Sequence, residues 1–97
     1  MEALYFKNKS CLVCSAFFPR LVDICEEYQI PFEVIDALEE PEKAGQRLIL
    51  SVPTIIFLDE ENRELRRFSS YFGSQEIKDF LERYFLAGGQ KRNINNK

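Results

Sequence analysis

The sequence contains no histidine and no tryptophan, and it has only one methionine and three cysteines. Without histidine, the chain cannot form the Ser–His or Cys–His couples that activate nucleophiles in many enzymes. It also lacks the most common metal ligand of proteins. Its four glycines form no glycine-rich phosphate loop. These absences leave the cysteines as the candidate nucleophiles of the chain.

Long hydrophobic runs and basic clusters are also missing. No uninterrupted apolar stretch approaches the roughly 18 residues of a membrane span, and the N-terminus lacks the pattern of a secretory signal peptide. We therefore expect a soluble, cytoplasmic protein, in which structural disulfides are uncommon. The formal net charge is -3, and Arg63, Arg66 and Arg67 are interleaved with acidic residues. Neither nucleic acid nor membrane is expected as a partner.

The size of the chain sets the number of domains. A sequence of 97 residues, 45% of them hydrophobic and nine of them phenylalanine, is sufficient for one folded domain. We predict that residues 1–87 form this domain. Residues 88–97 begin with two glycines and are mostly polar, and they are predicted to be a disordered tail.

Hydrophobic periodicity predicts seven elements in the order strand, helix, strand, short helix, strand, strand, helix. The predicted positions are Ala3–Phe6, Cys11 to about Tyr28, Phe32–Asp36, a short helix from about Pro41, Thr54–Leu58, an edge strand Arg63–Phe68, and a helix from Ser74. Ser10 and Ser74 are predicted to be N-cap residues. The helix between the first two strands implies a parallel pair, and the turn between the last two strands implies an antiparallel hairpin. The predicted fold class is therefore α/β with a four-stranded mixed sheet.

Two of the three cysteines lie at the predicted start of the first helix, in the stretch "SCLVC". A helix N-terminus stabilises a thiolate, which makes Cys11 the candidate nucleophile. Cys14, one turn further on, can attack a mixed disulfide at Cys11 and resolve it. Two alternatives stay open: half of a zinc site completed in a dimer, and a pair of inert core cysteines. Cys25 is too far along the helix to pair with Cys14, and it is predicted to be a buried apolar residue.

At this point the chain resembles the thioredoxin family over roughly Leu4–Leu86. The resemblance depends on "SCLVC" after an apolar strand, on Pro19 inside the following helix, on "SVPTIIFL", and on the closing "FGSQEIKDFLERYF". It implies a thioredoxin-like fold and a cis peptide bond before Pro53, close to the cysteine pair. It also implies that the backbone of Val52 pairs with an extended substrate segment.

Several positions depart from the usual thioredoxin pattern. Ser10 stands in place of the tryptophan before the first cysteine, and Leu12 and Val13 stand in place of glycine and proline between the cysteines. In that position Leu12 and Val13 are predicted to contact the substrate. The resemblance also puts Tyr5 where thioredoxins often have a buried acid, and Phe32 near the position of a lysine. We therefore expect an apolar environment that keeps the second cysteine protonated and slows its reaction at neutral pH.

The predicted function is thiol–disulfide oxidoreduction on protein or small-molecule disulfides, with Cys11 as nucleophile and Cys14 as resolving thiol. No bound cofactor and no metal are expected. The expected partners are a disulfide-containing substrate and an unidentified reductase or small thiol. The alternative is a thioredoxin-like interaction module that binds extended peptides beside Val52 and Pro53 without turnover.

Overall fold

The computed structural model describes residues 1–88 of the chain. Its elements are β1 (Glu2–Lys7), α1 (Leu12–Tyr28), β2 (Phe32–Asp36), α2 (Pro41–Gln46), β3 (Thr54–Leu58), β4 (Glu64–Ser69) and α3 (Ser74–Leu86). The predicted order of elements is confirmed, and β2 and β3 have the predicted bounds. The predicted tail of residues 88–97 lies, except for Gly88, outside the described residues, and its disorder stays a prediction.

The four strands form one mixed sheet in the order β2–β1–β3–β4. Tyr5 in β1 is opposite Val34 of the parallel strand β2 and opposite Ile55 of the antiparallel strand β3. β3 and β4 form the predicted antiparallel hairpin, and β4 lies at an edge of the sheet. The central strand β1 therefore leads directly into the loop that carries the first cysteine.

Side chains of the central strands alternate between two hydrophobic clusters, one on each face of the sheet. One cluster joins the sheet to α1 and α3, and its buried members are Ala3, Tyr5, Cys14, Phe17, Leu21, Ile24, Cys25, Ile30, Ile55, Phe57, Phe68, Ile77 and Leu81. The other includes Ala44 of α2, and its buried members are Leu4, Phe6, Ile35, Ala44, Ile56 and Leu58. All five residues of β3 are buried because both faces of this strand are covered. This explains its continuous apolar sequence.

Helix α1 holds the cysteine pair against the sheet. The predicted apolar stripe faces the core, and its buried members are Cys14, Phe17, Leu21, Ile24 and Cys25. Pro19 lies inside the helix, as expected from the sequence. Neither α1, with its 17 residues, nor any other helix of residues 1–88 is long and apolar enough to cross a membrane.

The two predicted N-caps are each wrong by one residue. Cys11, and not Ser10, is the N-cap of α1, because its sulfur accepts the hydrogen bond that a serine hydroxyl would otherwise accept. Ser10 lies in the preceding loop, where its N–H and hydroxyl bond a neighbouring side chain. In α3, Gly73 is the N-cap and Ser74 is the first helical residue.

Candidate active site

Cys11 and Cys14 form a disulfide with their Cα atoms 5.2 Å apart, within the usual range. β1 and its loop carry Cys11 to the N-terminus of α1, and Cys14 lies one turn inside the helix. Cys11 is partly exposed, whereas Cys14 is only 2% exposed. The two sulfur atoms of one bond therefore have unequal access to a second molecule.

The N-terminus of α1 favours negative charge on the sulfur of Cys11. The N–H of Cys14 donates a hydrogen bond to this sulfur at 3.0 Å. After reduction of the disulfide, the same N–H can stabilise a thiolate, and the positive end of the helix dipole acts in the same direction. The N–H that Cys11 caps is thus the same group that can stabilise its thiolate.

Cys14 borders a cavity that Tyr5 also lines. The lining residues are Tyr5, Lys7, Asn8, Lys9, Cys14, Ser15, Phe18 and Val34. The Tyr5 hydroxyl donates a hydrogen bond of 2.7 Å to the carbonyl oxygen of Cys14. Burial raises the pKa of Tyr5 to about 12, so this hydroxyl is a neutral donor near pH 7. Within residues 1–88, no carboxylate lines this cavity.

The predicted apolar environment of Cys14 holds in part, because Cys14 lies in the hydrophobic cluster but also borders a cavity with charged residues. Phe32 does not line the cavity; it packs against Phe18, with ring centroids 6.2 Å apart. Lys7 and Lys9 do line the cavity, and each forms an ion pair with a carboxylate. The cavity therefore combines apolar walls with two ammonium groups whose charges are partly compensated.

A groove lies beside the disulfide on the surface of the protein. It is lined by Ser10, Cys11, Leu12, Val13, Val52, Pro53, Ser70 and Tyr71. Leu12 is 84% exposed and Val13 is 62% exposed. The Val52–Pro53 peptide bond is cis, and within residues 1–88 the N–H and C=O of Val52 have no hydrogen-bond partner. The structure thus brings the predicted site residues together at this groove, apart from the buried Cys14.

Three groove residues were absent from the predicted site: Ser10, which precedes Cys11, and the pair Ser70 and Tyr71. Ser70 and Tyr71 are distant from the cysteines in sequence. They follow β4, and the pairing of Ser69 with Thr54 brings this loop beside Pro53. No local pattern marks them, because their position results from the β3–β4 register.

The third cysteine, Cys25, is a buried free thiol on the face of α1 that packs against the core. Burial raises its pKa to about 11, so it stays protonated near pH 7, as expected of an apolar core residue. Among residues 1–88, no three histidine, cysteine, aspartate or glutamate side chains lie together in a way that could hold a metal ion.

Comparison with known proteins identifies relatives over most of the chain. No protein-family model matches it. The SPbeta prophage-derived thioredoxin-like protein YosR of Bacillus subtilis is 27% identical over 82 residues, which cover 84% of this chain and 96% of that protein. The structure is similar to that of thioredoxin 1 from Thermosipho africanus, with a TM-score of 0.86 and 39% identity, covering 93% of this chain and 100% of the other. The structure of Fasciola hepatica thioredoxin matches with a TM-score of 0.74 and 21% identity, over 84% of this chain and 77% of the Fasciola chain. At this level of identity, the similarity shows the fold alone.

The chain belongs to the thioredoxin-like superfamily. The predicted fold class is confirmed: a thioredoxin-like α/β fold with a four-stranded mixed sheet. The fold and the Cys11–Cys14 disulfide together support thiol–disulfide oxidoreduction as the general chemistry of the protein.

Proposed function

We propose that this protein exchanges its Cys11–Cys14 dithiol with the disulfides of other proteins, with Cys11 as nucleophile and Cys14 as resolving thiol. The observation that carries the assignment is the unequal access to the two sulfurs. Cys11 lines the groove at a helix N-terminus, whereas Cys14 is buried. Since exchange requires direct approach of one sulfur to another, the substrate reacts with the accessible cysteine.

The reaction proceeds in two steps from the reduced protein. The Cys11 thiolate attacks one sulfur of the substrate disulfide; the substrate S–S bond breaks, and its other sulfur leaves as a thiolate and takes up a proton. Cys14 then loses its proton and attacks the sulfur of Cys11. This second attack releases the first substrate sulfur and forms the Cys11–Cys14 disulfide. Two electrons pass from the protein to the substrate.

The groove holds the substrate next to Cys11. An extended substrate segment pairs with the N–H and C=O of Val52 beside Pro53, in the manner of a strand added to a sheet edge. Leu12 and Val13 contact side chains of the same segment, because they lie in the groove and are largely exposed. This arrangement orients the substrate sulfur toward Cys11.

Regeneration of the dithiol requires an electron donor, which is a reductase or a small thiol. No bound cofactor is needed, since both electrons reside on the two protein sulfurs. We place the activity in the cytoplasm, where reducing conditions return the pair to its dithiol form. The folded unit in this proposal is residues 1–87.

The alternative is a peptide-binding module without turnover, which the exposed Leu12 and Val13 also suit. Reduced wild type, Cys11→Ser, Cys14→Ser and the control Cys25→Ala are incubated with insulin and then mapped by mass spectrometry. We expect Cys14→Ser to accumulate a mixed disulfide at Cys11, and Cys11→Ser to form none. Wild type and Cys25→Ala are expected to catalyse dithiothreitol-driven insulin reduction. Binding of insulin without turnover would favour the module, and an adduct on Cys25 would refute the assignment of Cys11.

A further inference from the structure

The cavity that borders Cys14 is distinct from the groove that borders Cys11. It lies between the end of β1 with the following loop, the first two turns of α1, and β2, and its volume is about 430 Å³. Sites for small molecules typically have volumes of about 300–1,000 Å³. The cavity and the groove share no lining residue. A molecule in the cavity would therefore approach the cysteine pair from the side of Cys14.

The polar side chains of the cavity favour a ligand with acceptor oxygens. Lys7 and Lys9 contribute ammonium groups, and Ser15 contributes a hydroxyl. The amide oxygen of Asn8 accepts hydrogen bonds from the N–H and the hydroxyl of Ser10, which leaves the amide nitrogen as the donor for a ligand. Since no carboxylate of residues 1–88 lines the cavity, an anion gains charged partners here and a cation does not.

The ion pairs of the two lysines leave their ammonium groups available. The Lys7 ammonium is 3.7 Å from Oδ2 of Asp36, which is longer than a hydrogen bond. This buried oxygen has no hydrogen-bond partner within residues 1–88. Lys9 pairs with Glu39, but their side chains are 76% and 57% exposed, and such exposed pairs contribute little free energy. A further carboxylate can thus bind both lysines without displacing a strong contact.

The other walls of the cavity are apolar. Phe18 and Val34 line it, and each is 37% exposed. The buried ring of Tyr5 also lines the cavity and stacks on Phe18, with ring centroids 6.2 Å apart. An aromatic ring that packs against these side chains is removed from water and gains aromatic contacts. Ammonium groups and apolar walls in one cavity therefore fit an anion that carries a ring.

We propose that this cavity binds a small aromatic carboxylate and that the bound anion slows resolution by Cys14. Lys7 and Lys9 hold the carboxylate, and the apolar walls hold the ring. Negative charge beside Cys14 disfavours the thiolate that resolution requires, and it compensates the ammonium charges that favour this thiolate. The first attack by Cys11 takes place in the groove and is unaffected. The effect on resolution rests on the proposed exchange function, whereas the binding site does not.

The binding test is an NMR titration of the disulfide-bonded protein with three probes. These are phenylacetate, its uncharged isostere phenylacetamide, and acetate, which lacks the ring. Amide signals of residues 7–9 and 14–18 report on the cavity. We expect phenylacetate to bind with a dissociation constant below about 1 mM, and the other two probes at least about tenfold more weakly.

A variant of each kind of lysine tests the charged part of the site. Lys9→Met changes an exposed side chain and should weaken phenylacetate binding about tenfold. Lys43→Met is the matched control, because it removes a half-exposed, ion-paired ammonium group that does not line this cavity. It should leave binding unchanged. Circular dichroism verifies that both variants are folded.

The kinetic test uses the reduced protein and 4,4′-dithiodipyridine, an uncharged disulfide. The Cys11 thiolate attacks one of its sulfurs, the S–S bond breaks, and one pyridinethiolate leaves and takes up a proton. Cys14 then loses its proton and attacks the sulfur of Cys11, and the second pyridinethiolate leaves and is protonated. Stopped-flow absorbance separates the two releases, since only the first depends on reagent concentration. We expect saturating phenylacetate to slow the second release at least about threefold and the first less than about 1.5-fold.

Equal binding of phenylacetate and phenylacetamide, or unchanged binding in Lys9→Met, would overturn the anion site. Binding that leaves the second release unchanged, or that slows both releases equally, would overturn the effect on resolution. If the protein alone releases fewer than two pyridinethiolates, the exchange function fails and the effect on resolution fails with it. The NMR titration then still decides whether the cavity binds the anion.

Discussion

The substitution Tyr5→Phe tests whether the buried tyrosine supports the cysteine pair. Tyr5 is 1% exposed, and its hydroxyl donates to the Cys14 carbonyl at 2.7 Å. Phenylalanine retains the ring and its packing against Phe17 and Phe18, at centroid distances of 6.4 and 6.2 Å. The substitution therefore removes one buried hydrogen bond and little else.

The expected loss in the free energy of unfolding is about 1–2 kcal/mol, the net value of a buried hydrogen bond with part of the cost of an unpaired carbonyl. For a domain of this size the melting temperature should fall by roughly 5–15 °C. The control is Tyr28→Phe, which removes a hydroxyl bond of the same length, 2.7 Å, to Glu82 at the surface. Because that bond is exposed, we expect a loss below about 0.5 kcal/mol.

The measurement is urea unfolding of both disulfide-bonded variants and wild type, followed by circular dichroism. Alkaline pH provides a second readout. Burial raises the pKa of Tyr5 to about 12, above its ordinary value of 10.0, so the folded state keeps a proton that the unfolded state loses. The contribution of the Tyr5 hydroxyl to the free energy of unfolding is fully present below pH 10.0 and is lost as the pH rises toward 12. Tyr5→Phe should therefore not show this loss of stability between pH 10.0 and 12. Equal, small effects of Tyr5→Phe and Tyr28→Phe would refute the role of the buried bond.

Three further predictions concern other parts of the molecule. Cys25 is a buried free thiol, and burial raises its pKa to about 11. Ellman's reagent should therefore detect no thiol in the native, disulfide-bonded protein and one thiol after unfolding in urea. Rapid labelling of the native protein would contradict this prediction. Arg67 donates hydrogen bonds to two backbone carbonyls of the loop after α2. In urea unfolding, Arg67→Met should therefore lower the free energy of unfolding by about 1–2 kcal/mol. Arg63→Met changes an exposed residue and should lower it by less than about 0.5 kcal/mol. An equal loss of stability in the two variants would refute the role of the Arg67 hydrogen bonds. Tyr5→Asp should speed mixed-disulfide decay by Cys14 near pH 7 by supplying a proton acceptor, whereas wild-type decay should accelerate only as pH rises. Stopped-flow decay that is already independent of pH in wild type would contradict the prediction.

Local patterns in the sequence were sufficient to predict the elements and the reactive pair. The apolar spacing of Phe17, Leu21 and Ile24 matches one face of a helix, and the continuous apolar run Thr54–Leu58 matches a strand covered on both sides. The position of Cys11 before that helix also follows from local order. The exact ends of helices are harder to predict from the sequence, because a sulfur can replace a hydroxyl as the acceptor at the N-cap, as it does at Cys11.

The neighbours of the two sulfurs depended on the tertiary structure. Tyr5 meets the Cys14 carbonyl because β1 lies under α1, and Tyr71 reaches the groove because the β3–β4 register brings the end of β4 to Pro53. Residues this far apart in sequence become neighbours through strand order and register. Hydrophobic periodicity specifies which face of an element is buried, but it does not specify which side chain of another element lies opposite.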